Sequence, residues 1–210
     1  MATQRELRVL VATDGSRDAQ TAIATTFRFP WPDRTRVRAV SARRTRAEYR
    51  RSILLTALDR GAEQAVESAR RTLSRRWPDV ESEVVDKSPV EGILGEAERL
   101  RADVVVVGWR GHGVARRLLM GSVSRGVVRG ATSAVLVVRR SQRVRKIVVG
   151  VDGSPTSKRA LALIGRLAAP RDGHVILVSG VELMSTLSRG RVPGAAAIAR
   201  EIRRANTMRS

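Results

Sequence analysis

The 210-residue sequence predicts an α/β fold: a five-stranded parallel sheet with helices on both faces, followed by a partial second copy. Two observations carry this. Short β-branched apolar runs, such as Asp103-Val-Val-Val-Val107, alternate with longer stretches whose apolar residues recur at helical spacing. That alternation belongs to parallel sheets buried on both faces. The second observation is a repeat. Arg8-Val-Leu-Val-Ala-Thr-Asp14-Gly15-Ser16 recurs as Lys146-Ile-Val-Val-Gly-Val-Asp152-Gly153-Ser154, so a strand, turn and helix open twice.

Each element follows in order. The first strand ends at Asp14-Gly15-Ser16, and Ala19, Ala22 and Ile23 mark the first helix. Arg36 to Ser41 reads as the second strand, and Arg50 to Arg76 as a long helix with Leu58, Ala62, Val66, Ala69 and Leu73 on one face. Val80 to Val85 is the third strand, and Val90 to Leu100 a helix with Ile93, Leu94 and Ala97 inward. Asp103 to Val107, Ser122 to Gly130 and Ala134 to Val138 complete the pattern as strand, helix and strand. These boundaries suggest one domain over 1–140, a short basic linker at 141–145 and a truncated second copy over 146–210. The second copy offers one strand, a helix ending near Ala169, a strand at His174 to Ser179, and a tail with a helical pattern at Ala195 to Arg204. Two parallel strands leave apolar surface and open edges. This half is therefore expected to pack on the first domain or on a dimer mate rather than fold alone.

Composition narrows the chemistry. The chain has no cysteine, which excludes disulfides, thiolate metal sites and a cysteine nucleophile. No apolar run approaches the roughly 20 residues that span a bilayer, and no signal-peptide pattern opens the chain, so a cytoplasmic home and no membrane partner are expected. The formal charge is +20, and lysine occurs only at Lys87, Lys146 and Lys158, so the cations are nearly all arginine. Such a balance either attracts phosphates or simply decorates solvated helix faces. With 3% aromatics and no basic–aromatic interleaving, platforms for base stacking are scarce, which disfavours nucleic acid as a partner.

The informative stretch begins where the fourth strand stops. Gly108-Trp109-Arg110-Gly111-His112-Gly113 is followed, after Val114 to Met120, by Gly121-Ser122-Val123-Ser124. A strand ending in a glycine-rich loop that re-enters a helix lets backbone N–H groups approach an anion closely. Gly121 and Ser122 then stand where the free N–H groups and the positive end of a helix dipole begin. Hydroxyls at Ser122 and Ser124 can add hydrogen bonds, and the arrangement suits a triphosphate. Nucleotides in such sheets bind at the carboxyl ends of the strands.

The spacing Gly108, two residues, Gly111, nine residues, Gly121-Ser122 resembles the ATP-binding signature of universal stress proteins. Asp14-Gly15-Ser16 resembles that family's opening motif, and the match extends over residues 5–140. The resemblance implies a Rossmann-like adenine-nucleotide-binding fold and a stress-response or regulatory role. It implies ATP, with or without Mg²⁺, as the ligand. Thr13 and Asp14 would meet the adenosine, Asp14 accepting a hydrogen bond from the ribose, and the backbone of Val40 would meet the adenine edge. Gly108, Gly111, Gly121, Ser122, Val123 and Ser124 would hold the phosphates. Members pair as homodimers or, in tandem, through two domains of one chain.

Simpler roles stand beside these. Asp14, like Asp152, can be a turn and helix-capping residue, and Ser122 can be a cap. His112 could act as a general base or be an exposed loop residue. Arg110, Arg116 and Arg117 could touch phosphate or water, and Trp109 could cover the site or pack beside it. The lysine-bearing P-loop is absent, which argues against fast hydrolysis, and no catalytic residue or metal site is assigned. A weak ATPase and a basic nucleic-acid-associated protein are the alternatives. The second copy keeps Asp152 without a phosphate loop, so one nucleotide site per chain is expected.

Overall fold

Four consecutive valines set an interior strand of the sheet. The computed structural model describes residues 6–43, 54–111, 120–141, 143–167 and 173–180, with the backbone alone over 54–60. In it β4 (Val104–Gly108) is buried at every position, as a parallel strand covered on both faces must be. It joins β1 (Leu7–Ala12), β2 (Thr35–Arg43), β3 (Glu81–Asp86) and β5 (Ala134–Val138) in one parallel sheet of order β3-β2-β1-β4-β5.

The sheet is covered by α1 (Arg17–Arg28), α2 (Leu54–Leu73), α3 (Pro89–Leu100) and α4 (Ser122–Gly130). Alternate residues of the strands build two cores. Val9, Val11, Val37 and Ala39 meet Ala22 and Ile23 of α1 and Val66, Ala69 and Leu73 of α2. On the other face Leu10, Val40, Val105 and Val107 meet Ile93, Ala97 and Leu100 of α3 and Val127 of α4. Leu7, Leu10 and Leu73 are fully buried, and each such side chain adds about 1.5–3 kcal/mol over an exposed one.

Several arginines act as joints of this scaffold. Arg36 and Arg38 on β2 both pair with Glu81 on β3, and Arg38 also reaches the buried Glu96 of α3. Arg43 bonds Asp86 at 2.5 Å. These cross-strand pairs accompany a β2 that runs to Arg43, past the Ser41 expected from the apolar pattern. Arg76 donates to the carbonyls of Phe27 and Phe29 at 2.7 and 2.9 Å, closing the turn after α1.

The repeat yields β6 (Lys146–Gly150), α5 (Pro155–Arg166) and β7 (His174–Val178), with β6 and β7 forming a separate parallel pair. Leu163 and Leu167 pack against the α1–α2 core. Arg166 donates to Asp103 Oδ1 at 2.9 Å and to the carbonyl of Glu6 at 3.4 Å. The second unit thus leans on the first sheet through α5. The helical pattern at Ala195 to Arg204 lies outside the described residues.

Candidate functional site

β1 and β4 are neighbours in the sheet but distant in sequence, so the chain leaves their carboxyl ends in opposite directions and opens a crevice there. The turn after β1 is built from its own side chains. Asp14 Oδ1 accepts the N–H of Ser16 at 3.0 Å, Thr13 Oγ1 accepts that of Gly15 at 3.2 Å, and Gly15 takes φ 80°. Glycine adopts that left-handed conformation without the steric cost of a Cβ. Ser16 caps α1 by accepting from Ala19 N–H at 3.3 Å, and its hydroxyl lies 3.5 Å from the carbonyl of Arg110, tying the turn to the glycine-rich loop. Thr13 N–H donates to Val40 O at 2.9 Å, carrying the β1–β2 pairing one residue past the strand.

The loop glycines are required by close approach. A Cβ at Gly108 would stand 2.7 Å from the backbone of Asp18, and one at Gly111 would stand 2.3 Å from Asp14 Oδ2. At Gly121 a Cβ would come within 3.1 Å of Arg110 Cα. The loop is clasped at its root: Trp109 N–H donates to Val138 O at 2.8 Å, and Gly121 N–H donates to Trp109 O at 2.9 Å.

Helix α4 differs from α1 and α5 at its first turn. The latter two are capped by Ser16 and Ser154, whereas Gly121 caps α4 with no side chain. The N–H groups of Ser122, Val123 and Ser124 therefore have no acceptor among the described residues. Together with the helix dipole they make an end whose chemistry suits an anion.

A pocket opens to solvent at the crevice. Of the residues singled out from sequence, Thr13, Asp14, Val40, Gly108 and Gly111 line it, as do Val123 and Ser124. Gly121 and Ser122 are outside its lining, Gly121 being buried in the clasp and Ser122 exposed. Ser124 is buried, and its hydroxyl donates to Gly108 O at 2.7 Å. Its proton holds α4 to the end of β4, which leaves the backbone N–H as its free donor. Val40 is also fully buried, and its carbonyl already accepts from Thr13.

Sequence reasoning missed the apolar wall. Ala42 of β2, Pro89 and Ile93 of α3, and Val107 of β4 complete the pocket. The available signal was connectivity: α3 follows β3 directly, so its first turn must begin at the same carboxyl edge as the loop. Arg110 lines the pocket, while His112, Arg116 and Arg117 lie outside the described residues. Trp109 packs with Arg139, whose guanidinium carbon lies 5.4 Å from its ring centroid. No group of three or more His, Cys, Asp or Glu side chains suited to a metal occurs among the described residues, and no helix among them is long and apolar enough to cross a membrane.

Comparison with known proteins gives a consistent picture. Residues 7–139 and 143–208 match the Universal stress protein family. A universal stress protein of Mycobacterium tuberculosis is 36% identical over 105 residues, covering 47% of this chain and 35% of that protein. A second from the same organism is 29% identical over 182 residues, covering 74% of this chain and 57% of that protein. The chain thus matches only about a third to three-fifths of the length of these relatives. Among solved structures, a universal stress protein from Archaeoglobus fulgidus superposes with a TM-score of 0.64 at 18% identity, covering 92% of this chain and 74% of that one, a likeness of fold.

Proposed function

The chain belongs to the universal stress protein family, and from that premise we propose that it binds ATP at the crevice between β1 and β4, as a stress-response or regulatory module. The observation that carries this is the glycine-capped first turn of α4, whose free N–H groups stand next to a pocket walled by apolar residues. Such a site offers an anion cradle and an apolar slot side by side, which is what the triphosphate and the base of a nucleotide require.

In this reading the base lies against Val40, Ala42, Ile93 and Val107, and the ribose meets Thr13 and Asp14. The phosphates meet the N–H groups of Ser122, Val123 and Ser124, where Gly108, Gly111 and Gly121 keep the backbone accessible. Asp14 is the one acidic side chain in the pocket lining among the described residues. Mg²⁺ usually takes one or two carboxylates together with substrate phosphates, so a lone carboxylate fits a cation that arrives with the nucleotide. We assign the nucleotide domain to 1–140, the linker to 141–145 and the second copy to 146–210. The packing of α5 on the first sheet favours pairing of the two copies within one chain.

Calorimetric titration of the nucleotide-stripped full chain with ATP and Mg²⁺, beside a Gly121→Val variant, tests the reading. One site per chain is expected. The variant should lose at least about 100-fold in affinity, roughly 2.7 kcal/mol, because the new side chain displaces Arg110 and the clasp. Absence of binding by the wild-type chain refutes the assignment.

A further inference from the structure

Arg139 is the first residue after β5, and it leaves the sheet at the same carboxyl edge as the glycine-rich loop. We propose that Arg139 is a further nucleotide-binding residue, one that grips the terminal phosphates and makes the site prefer a nucleoside triphosphate to a monophosphate. The inference rests on the reading of the loop as a phosphate cradle.

Placement is the first argument. The residue before Arg139 accepts the N–H of Trp109 through its carbonyl, and the carbonyl of Trp109 accepts the N–H of Gly121. Two backbone hydrogen bonds therefore join the end of β5 to the turn that opens α4. The guanidinium rests over the Trp109 ring, 5.4 Å from its centroid, and Trp109 is itself a residue of the loop.

Availability is the second. Arg36, Arg38, Arg43, Arg99 and Arg166 are all engaged by carboxylates. Arg139 is exposed, and no carboxylate partners it among the described residues. Its contact with the indole is the kind of cation–π restraint that is weak at an exposed site. A guanidinium–phosphate pair is charge-assisted and can be bidentate, so it outcompetes such a restraint.

Need is the third. Among the described residues the pocket lining contains one acidic side chain, Asp14, and one basic side chain, Arg110, and the loop has no P-loop lysine. An α-phosphate beside the first turn of α4 is served by N–H groups. The β- and γ-phosphates extend beyond that turn and bring additional charge that those N–H groups alone do not balance. Arg139 supplies a cation on that side, and moving it from the ring to the phosphates also ties the segment after β5 to nucleotide occupancy.

The test compares the affinities of the full chain for ATP and AMP at fixed ionic strength in the wild type, Arg139→Gln, Arg139→Lys and Arg140→Gln. Arg139→Gln should weaken ATP about tenfold and AMP by less than about twofold, collapsing the preference for the triphosphate. Arg139→Lys should recover part of it, since the charge remains and the planar fork is lost. Arg140→Gln, which removes a neighbouring exposed charge, should change neither affinity by more than about twofold. Parallel losses for ATP and AMP, an unchanged ratio, or an equal effect of Arg140→Gln would overturn the role of Arg139 while leaving the cradle intact. A wild-type chain that binds neither nucleotide overturns the cradle and this inference together.

Discussion

The two copies of the opening motif have the same local geometry and opposite surroundings. In the first, Ser16 N–H meets Asp14 Oδ1 at 3.0 Å and Gly15 takes φ 80°; in the second, Ser154 N–H meets Asp152 Oδ1 at 2.9 Å and Gly153 takes φ 79°. The strand pairing is extended alike, by Thr13 N–H to Val40 O at 2.9 Å and by Val151 N–H to Val178 O at 2.8 Å. Yet β1 is almost wholly buried, whereas every residue of β7 is exposed, Leu177 at 58%. The turn is thus a property of a short sequence. A binding site is not, because it needs β4, the loop and α4 arriving from far along the chain.

The sharpest way to break this comparison is to remove the shared aspartate from each copy. Asp14→Ala should weaken ATP at least about tenfold, since Asp14 lines the pocket and orders the turn beneath it. Asp152→Ala should leave the affinity within about twofold, because among the described residues no glycine-rich loop faces the second turn. Equal losses would mean that both turns serve one ligand, and the assignment of a single site would fall.

A smaller effect concerns the joint between the copies. Arg166 has 29% of its side chain exposed and Asp103 12%, so Arg166→Ala leaves a half-buried carboxylate with one partner fewer and should cost about 1–3 kcal/mol in α5 docking. Hydrogen exchange should show α5 and β6 opening more readily while β1 and β4 stay protected. Faster exchange throughout the first sheet would mean that the copies unfold as one body.

The smallest effect is a titration. Hydrogen bonding from the Ser154 hydroxyl and N–H, with a contribution from Ser157, holds Asp152 at about 2 instead of 3.8. A depressed carboxylate stabilises the fold above its unfolded pKa and loses that contribution as pH falls through its folded one. The contribution of Asp152 is therefore present above 3.8 and fades between 3.8 and about 2. An NMR titration should place the midpoint in that lower range, and Ser154→Ala should move it toward 3.8. A midpoint that ignores the substitution would show that the turn is not held by its serine.

Legibility from sequence followed the same division between local and distant. Ser122 to Gly130 and Ala134 to Val138 were readable to the residue, because glycine and small polar residues punctuate both. The fourth strand ends one residue later than the valine run, since Gly108 still pairs with Val138. The hydroxyl of Ser124 could not be assigned from spacing, because its choice of Gly108 O depends on how α4 lies across the end of β4. Ala42, Pro89 and Ile93 were equally silent: their role comes from facing one crevice, which no local pattern records. The arginine question divided, with Arg36, Arg38, Arg43 and Arg166 engaged in ion pairs and Arg139 and Arg140 exposed after β5.

The self-sufficient turn after β1 also bears on how the chain assembles during synthesis. Its hydrogen bonds span two or three residues, whereas the contact of Ser16 with Arg110 spans 94. Short closures cost little chain entropy and form early, long ones late. The first strand and its helix can therefore be shaped before the glycine-rich loop has left the ribosome, so the β1 side of the crevice stands ready as a template on which the loop side is laid.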